Sequence, residues 1–205
     1  MMNTTHFQTI EPSDSVNQRY LYIVLTRTDT NIARFIRVIT RKPYSHASIA
    51  MDISLQQLFS FCRNYPAIPL PATFNEELIG QGTFGRFDDI PCEIYEIPVT
   101  EEQYRHCMEQ IGHFLACRKE YSYSLTGLCS VLLQIERELR NKFVCSQFVA
   151  YMLQECDVSL EKPASLYSPE DLRHLPAAKL IYRGELNHYY TQMASEDRNW
   201  IRSVV

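Results

Sequence analysis

Residues 20–28, YLYIVLTRT, open with an aromatic and β-branched run, the composition of a buried strand. Such a strand needs a sheet around it and helices over it, and the rest of the chain supplies both. DTNIARFIRVIT (29–40) places Ile32, Phe35, Ile36 and Ile39 at helical spacing, with Asp29 or Thr30 as the cap, and RKPYS ends that helix at Pro43. HASIAMD then alternates, with Ala47, Ile49 and Met51 facing one way and His46, Ser48, Ala50 and Asp52 the other. LFSFCRN alternates again, so 46–64 reads as a β-hairpin with one apolar face. PCEIYEIPV (91–99) and AKLIYRGEL (178–186) read as further strands. Between them TEEQYRHCMEQIGHFLACRK starts with a capping pattern and carries Tyr104, Met108, Ile111 and Leu115 as its apolar stripe. SLTGLCSVLLQIERELR, FVCSQFVAYMLQECD and the short SPEDLRHL are also helical.

The expectation is a single α+β domain over 19–187. An antiparallel sheet of 20–28, 46–52, 58–63, 91–98 and 179–185 packs against helices, with the Cys145 helix at its centre. Residues 1–18 read as a flexible N-terminal arm and 188–205 as a polar C-terminal tail. The stretch 65–89 holds three prolines and three glycines and little periodicity, so it reads as a long loop of the kind that often carries function.

Composition removes several classes of activity. The formal net charge is −4 over 205 residues, without the basic excess of a nucleic-acid binder. Uncharged apolar runs fall far short of the roughly 18 to 20 residues of a membrane span. The start, MMNTTHFQTIEPSDSVNQ, has neither the basic nor the apolar part of a secretory signal, and a reducing cytoplasm is the expected setting. The cysteines (62, 92, 107, 117, 129, 145 and 156) are odd in number, scattered, and without a C-x-x-C pair. That argues against a disulfide framework or a zinc site, and neither metal nor cofactor is expected.

One cysteine stands apart. In KFVCSQFVAYML (142–153), Cys145 heads an apolar helix whose buried stripe is Phe148, Val149, Met152 and Leu153. Free backbone N–H groups at a helix start lower a thiol pKa, as does a neighbouring imidazolium. The Cys145 N–H is also free to face a substrate carbonyl as half of an oxyanion hole. Among six histidines, His46 alone lies at the mouth of a strand on a face free of large apolar groups. The plain alternatives are a core thiol and a hydrogen-bonded strand-end histidine.

PYSHASIAMD followed much later by FVCSQFV resembles the circularly permuted NlpC-type branch of the papain-like superfamily, the YiiX-like cysteine hydrolases. Ordinary NlpC peptidases place Cys first and His later, whereas here His46 precedes Cys145. The likeness spans roughly 20–188 and includes YIVLTRT, LFSF, VTEEQY, SPEDL and LIYRGEL. It implies a papain-like fold and a cysteine hydrolase of the amidase, peptidase or thioesterase kind, acting on a small-molecule, peptide or lipid-like acyl substrate. A silent binding module and a lipid acyltransferase are the alternatives. The sequence leaves the oligomeric state open. Gln147 stands where ordinary NlpC peptidases have Gly and is expected to narrow the cleft.

The group that orients the imidazole is less defined. Asp52 is too far along its strand. Matching the apolar faces of the hairpin puts Ser60, Cys62 and Asn64 beside His46, and Ser60 or Asn64 is the expected orienter. Glu76 or Glu77 would serve only if the 65–89 loop folds back. Tyr44 is a candidate cleft or oxyanion residue, and Arg86 and Arg63 candidate anchors for an anionic group, against packing or solvated roles. The 65–89 loop is expected to form one wall of the cleft, and Tyr121 and Tyr123 to lead into a helix.

Overall fold

The structure is a computed structural model that describes residues 18–63, 72–123, 131, 135 and 141–204. The 1–17 part of the expected arm, Asn64, and nearly all of the helix expected at 124–140 lie outside the described residues.

A six-stranded antiparallel sheet forms the middle layer of an α+β architecture. Its strands are β1 (Arg19–Thr26), β2 (His46–Ala50), β3 (Leu58–Arg63), β4 (Ala72–Glu77), β5 (Pro91–Val99) and β8 (Lys179–Glu185). They lie in the order β4-β3-β2-β1-β5-β8. The buried run at the start of the chain is a central strand, between β2 and β5. A separate parallel pair joins β6 (Ser122–Tyr123) to β7 (Lys142–Phe143), so Tyr123 lies in a strand with Tyr121 just before it, and the helix they were expected to lead into falls almost wholly outside the described residues. β4 corrects the single long loop expected at 65–89. Phe74 buries against Phe59 and Phe61 while Asn75 pairs opposite Ser60 on the other side. One apolar residue inward is enough for an edge strand, and too little to signal one.

Both faces are covered. Leu21, Ile23, Leu25, Ala47, Ile49, Phe59 and Phe61 meet the helices α2 (Glu101–Ala116) and α3 (Cys145–Glu155). Tyr22, Val24, Ala50, Leu58, Cys92 and Ile94 meet Leu186 and Tyr189 of α5 (Leu186–Val204). The hairpin 46–64 therefore buries apolar residues on both sides. The segment expected as a polar tail is this helix. Among the described side chains its anchor is Leu186 and Tyr189, with Tyr190 and Met193 beside them, in a polar sequence, too sparse a stripe to read as a core helix.

α2 begins at a Thr100 capping box, with the Thr100 Oγ1 accepting from Gln103 N–H and Gln103 Oε1 accepting from Thr100 N–H. Its buried residues are Cys107, Ile111 and Phe114, while Met108 and Leu115 are exposed, so the expected stripe was rotated from the true one. Phe114 is ringed by Phe61, Phe74, Tyr121, Phe143 and Phe148. α1 (Asn31–Thr40) is capped by Thr30, whose Oγ1 accepts from Ala33 N–H. A short helix, α4 (Pro169–Arg173), starts at Ser168 as expected.

Candidate active site

α3 is fixed before any chemistry is considered. Phe148, Val149, Met152 and Leu153 are fully buried, as their spacing predicts, and α3 packs on both β2 and β3. Its head is held twice more. Gln147 Oε1 accepts from Val144 N–H, and Gln147 Nε2 donates to the Ser165 carbonyl at 2.6 Å. Ser146 Oγ donates to the Tyr167 carbonyl. Gln147 is thus a buried cap, which corrects its expected place in the cleft: both ends of its amide are occupied by the backbone.

These anchors set Cys145 as the first residue of α3, 8% exposed. Its sulfur lies close enough to the His46 ring and to the backbone N–H groups of Ala47 and Ser146 for all three to favour the thiolate. The structure therefore brings together the two residues that sequence pattern singled out.

Strand alternation puts His46 and Ser48 of β2, Ser60 of β3 and Glu77 of β4 on the face opposite to α3. The β2–β3 ladder consists of Ile49–Phe59 and Ala50–Leu58 and goes no further toward His46. Beyond it the two strands are joined by a side chain. Glu77 Oε2 accepts from Ser48 Oγ at 2.7 Å and from Ser60 Oγ at 2.6 Å. Both Glu77 oxygens also lie within reach of His46 Nε2, at 3.1 and 3.0 Å, and Ser48 Oγ is 3.3 Å from the same nitrogen. Glu77 is the group on the imidazole. Ser60, the expected orienter, acts one step back, because its hydroxyl points at the carboxylate and not at the ring.

Electrostatics follow from this geometry. Burial alone pushes the Cys145 thiol up, but the His46 charge and the hydrogen bonds from His46, Ala47 and Ser146 hold it below the ordinary thiol value. Burial alone lowers His46, yet the Glu77 carboxylate and Cys145 keep it well above the usual histidine range. Burial raises Glu77, and His46, Ser60 and Ser48 outweigh that and leave it lowered. Every member of the chain is biased toward its charged form.

The surroundings divide. Phe84, on a single 3-10 turn at Phe84–Arg86, is buried and sets its ring edge-on to His46 at 6.4 Å, so the 78–90 segment reaches the site. Arg86 on the same turn is exposed. Tyr44 is half-buried, with the Arg173 guanidinium over its ring at 5.7 Å. Burial, with Glu93 nearby, pushes its hydroxyl up to about 12, which fits a packed phenol. The Arg63 side chain lies outside what is described. Beside His46, Thr26 Oγ1 and Ser45 Oγ are buried without a hydrogen-bond partner among the described residues. Among the described residues no group of His, Cys, Asp and Glu side chains has the arrangement of a metal site.

Glu77 is the functional candidate that sequence reasoning set aside. The signal that finds it is the β3–β4 register, which places Glu77 opposite Leu58 and diagonal to Ser60. No family model, curated protein or solved structure matches the chain.

Proposed function

We propose that the protein is a cysteine hydrolase that cleaves an amide, peptide or ester bond through an acyl-enzyme, on a papain-like arrangement of helix and sheet. The observation that supports it most is the buried Cys145 thiol beside His46, whose ring is hydrogen-bonded to the buried Glu77 carboxylate at 3.0 Å, with the thiol pKa lowered and the imidazole pKa raised. Glu77 occupies Nε2, so Nδ1 is the ring nitrogen left to serve the sulfur. The Cys145 thiolate attacks the substrate carbonyl carbon, and the imidazolium gives its proton to the departing amine or alcohol as the C–N or C–O bond breaks. His46 then takes a proton from water, whose oxygen attacks the thioester and regenerates the thiolate. The Cys145 N–H, in the first turn where no intrahelical acceptor exists, offers one donor to the developing oxyanion. Glu77 holds the ring in one tautomer and balances its charge.

The test is the pH dependence of alkylation of Cys145 by iodoacetamide, followed by mass spectrometry. Wild type is expected to react well below pH 8.5, the ordinary thiol pKa being about 8.5. In His46→Ala the apparent pKa is expected to rise toward that value while the fold persists. A wild-type Cys145 that titrates as an ordinary thiol, unmoved by the substitution, overturns the hydrolase reading in favour of a binding module.

A further inference from the structure

α1 exposes two neighbouring apolar side chains, Val38 and Ile39, near its C-terminus. At roughly 100° per residue, Val38 and Ile39 fall on one broad arc of the helix together with positions 32, 35 and 36. That arc collects every Ile, Phe and Val of 31–40. Ala33 and Arg37 fall on the other side, and it is this side that meets the protein. Ala33 is buried, and Arg37 reaches the Thr28 carbonyl and Asp29 Oδ1 with its side chain 18% exposed. Val38 and Ile39 are 76% and 51% exposed. A helix that packs through Ala33 and Arg37 while Val38 and Ile39 stand exposed side by side presents an apolar patch that a partner can cover.

Charge selects the covering. Residues 29–42 contain Arg34, Arg37, Arg41 and Lys42 and one acidic residue, Asp29, in a chain whose net charge is −4. Arg34, with its side chain 64% exposed, and Arg41, at the C-cap, flank the apolar arc next to Val38. Exposed apolar side chains beside arginines, on a helix whose apolar residues share one arc in sequence, are the pattern of a helix lying in the headgroup region of an anionic bilayer. A second copy of this chain would set the same arginines against each other.

Position ties the helix to the site. α1 connects Thr26 to His46, and these two residues face each other across β1 and β2, so both ends of α1 emerge at the end of the sheet that carries His46. We propose that α1 docks the protein on the surface of an anionic membrane. Resting on the hydrolase reading above, this makes the substrate an acyl bond presented at that surface.

The experiment is co-sedimentation of the full chain with vesicles of phosphatidylcholine alone and of phosphatidylcholine mixed with phosphatidylglycerol. Wild type is expected to pellet with the mixed vesicles only, and less at high salt. Val38→Asp with Ile39→Asp should abolish pelleting, and Arg34→Gln with Arg41→Gln should weaken it by about tenfold or more. Each variant is checked for an unchanged circular dichroism spectrum and an unchanged Cys145 alkylation profile, so failure of docking is separable from failure of the chemistry. No pelleting, equal pelleting with both vesicles, or pelleting unaffected by the aspartates overturns the proposal. So does a dimer in sedimentation velocity that the aspartates dissolve in the absence of vesicle binding.

Discussion

Glu77 carries three tasks through one carboxylate. It orients His46, sets its charge, and joins Ser48 of β2 to Ser60 of β3 where no backbone bond does so. The roles of Glu77 and Ser60 separate by substitution. Glu77→Gln keeps the size of the side chain and removes its charge. His46 then loses a cause of its raised pKa, the alkylation profile of Cys145 moves to higher pH, and hydrolysis falls by ~10²–10⁴, the scale seen when a catalytic histidine loses its carboxylate. Ser60→Ala removes one donor to a buried charge, worth about 1.5–3 kcal/mol, and leaves the Glu77–His46 contact in place. It is expected to shift the denaturation midpoint and to change the rate by less than about tenfold, a small share of what orientation contributes. If the serine change costs more activity than the glutamine change, the order of the relay is wrong.

At the scale of elements, the head of α3 depends on Gln147 as much as on its apolar stripe. Gln147→Ala leaves the buried Val144 N–H without its partner, at a cost of about 1–3 kcal/mol, and also removes the donor to the part-buried Ser165 carbonyl. The expected result is a lower urea midpoint together with a less reactive Cys145, since the helix start that presents the thiol loosens. Loss of stability with unchanged reactivity would show that the cap supports the fold alone. Elements also explain what the sequence disclosed. A helix head and a strand mouth are local patterns, and Cys145 and His46 sit on them, so both were legible. Glu77 was not, because its place depends on β4 pairing with β3. ATFNEE offers Phe74 as its only large apolar residue, and it follows the prolines of YPAIPLP and precedes the glycines of GQGTFG. Register between distant strands has no local signature. The same reason hid the Ser60–Glu77 bond, although the face of Ser60 was read correctly.

For the molecule as a whole, a second buried carboxylate governs behaviour in acid. Glu93 of β5 is 1% exposed and receives Arg173 and Arg183 at 2.7 and 2.6 Å, with Tyr95 donating at 2.6 Å. Burial pushes its pKa up, but Arg173, Tyr95 and Arg183 bring it down from 4.5 to about 2. A group lowered on folding contributes stability that is complete above its unfolded value and disappears as pH falls through its folded one. The window runs from near 4.5 down to about 2, and the contribution is on the order of 3 kcal/mol. Glu77, also lowered, acts in the same direction. The melting temperature is therefore expected to fall steeply below about pH 4.5, an ordinary carboxylic-acid pKa in the unfolded chain. Glu93→Gln should be less stable at neutral pH and flatter on the acid side; an unchanged acid limb would mean that Glu93 is not the titrating group. The sulfur of Cys145 leads to a different use. The groups that favour its thiolate come from a helix and from a strand far away in the chain, so they act together only in a molecule whose sheet and helix have closed on each other. In the open chain the same thiol is an ordinary one. A brief pulse of alkylating agent below the ordinary thiol pKa of about 8.5 is therefore expected to mark assembled molecules and pass over the rest, which would make this side chain a reporter of its own folding.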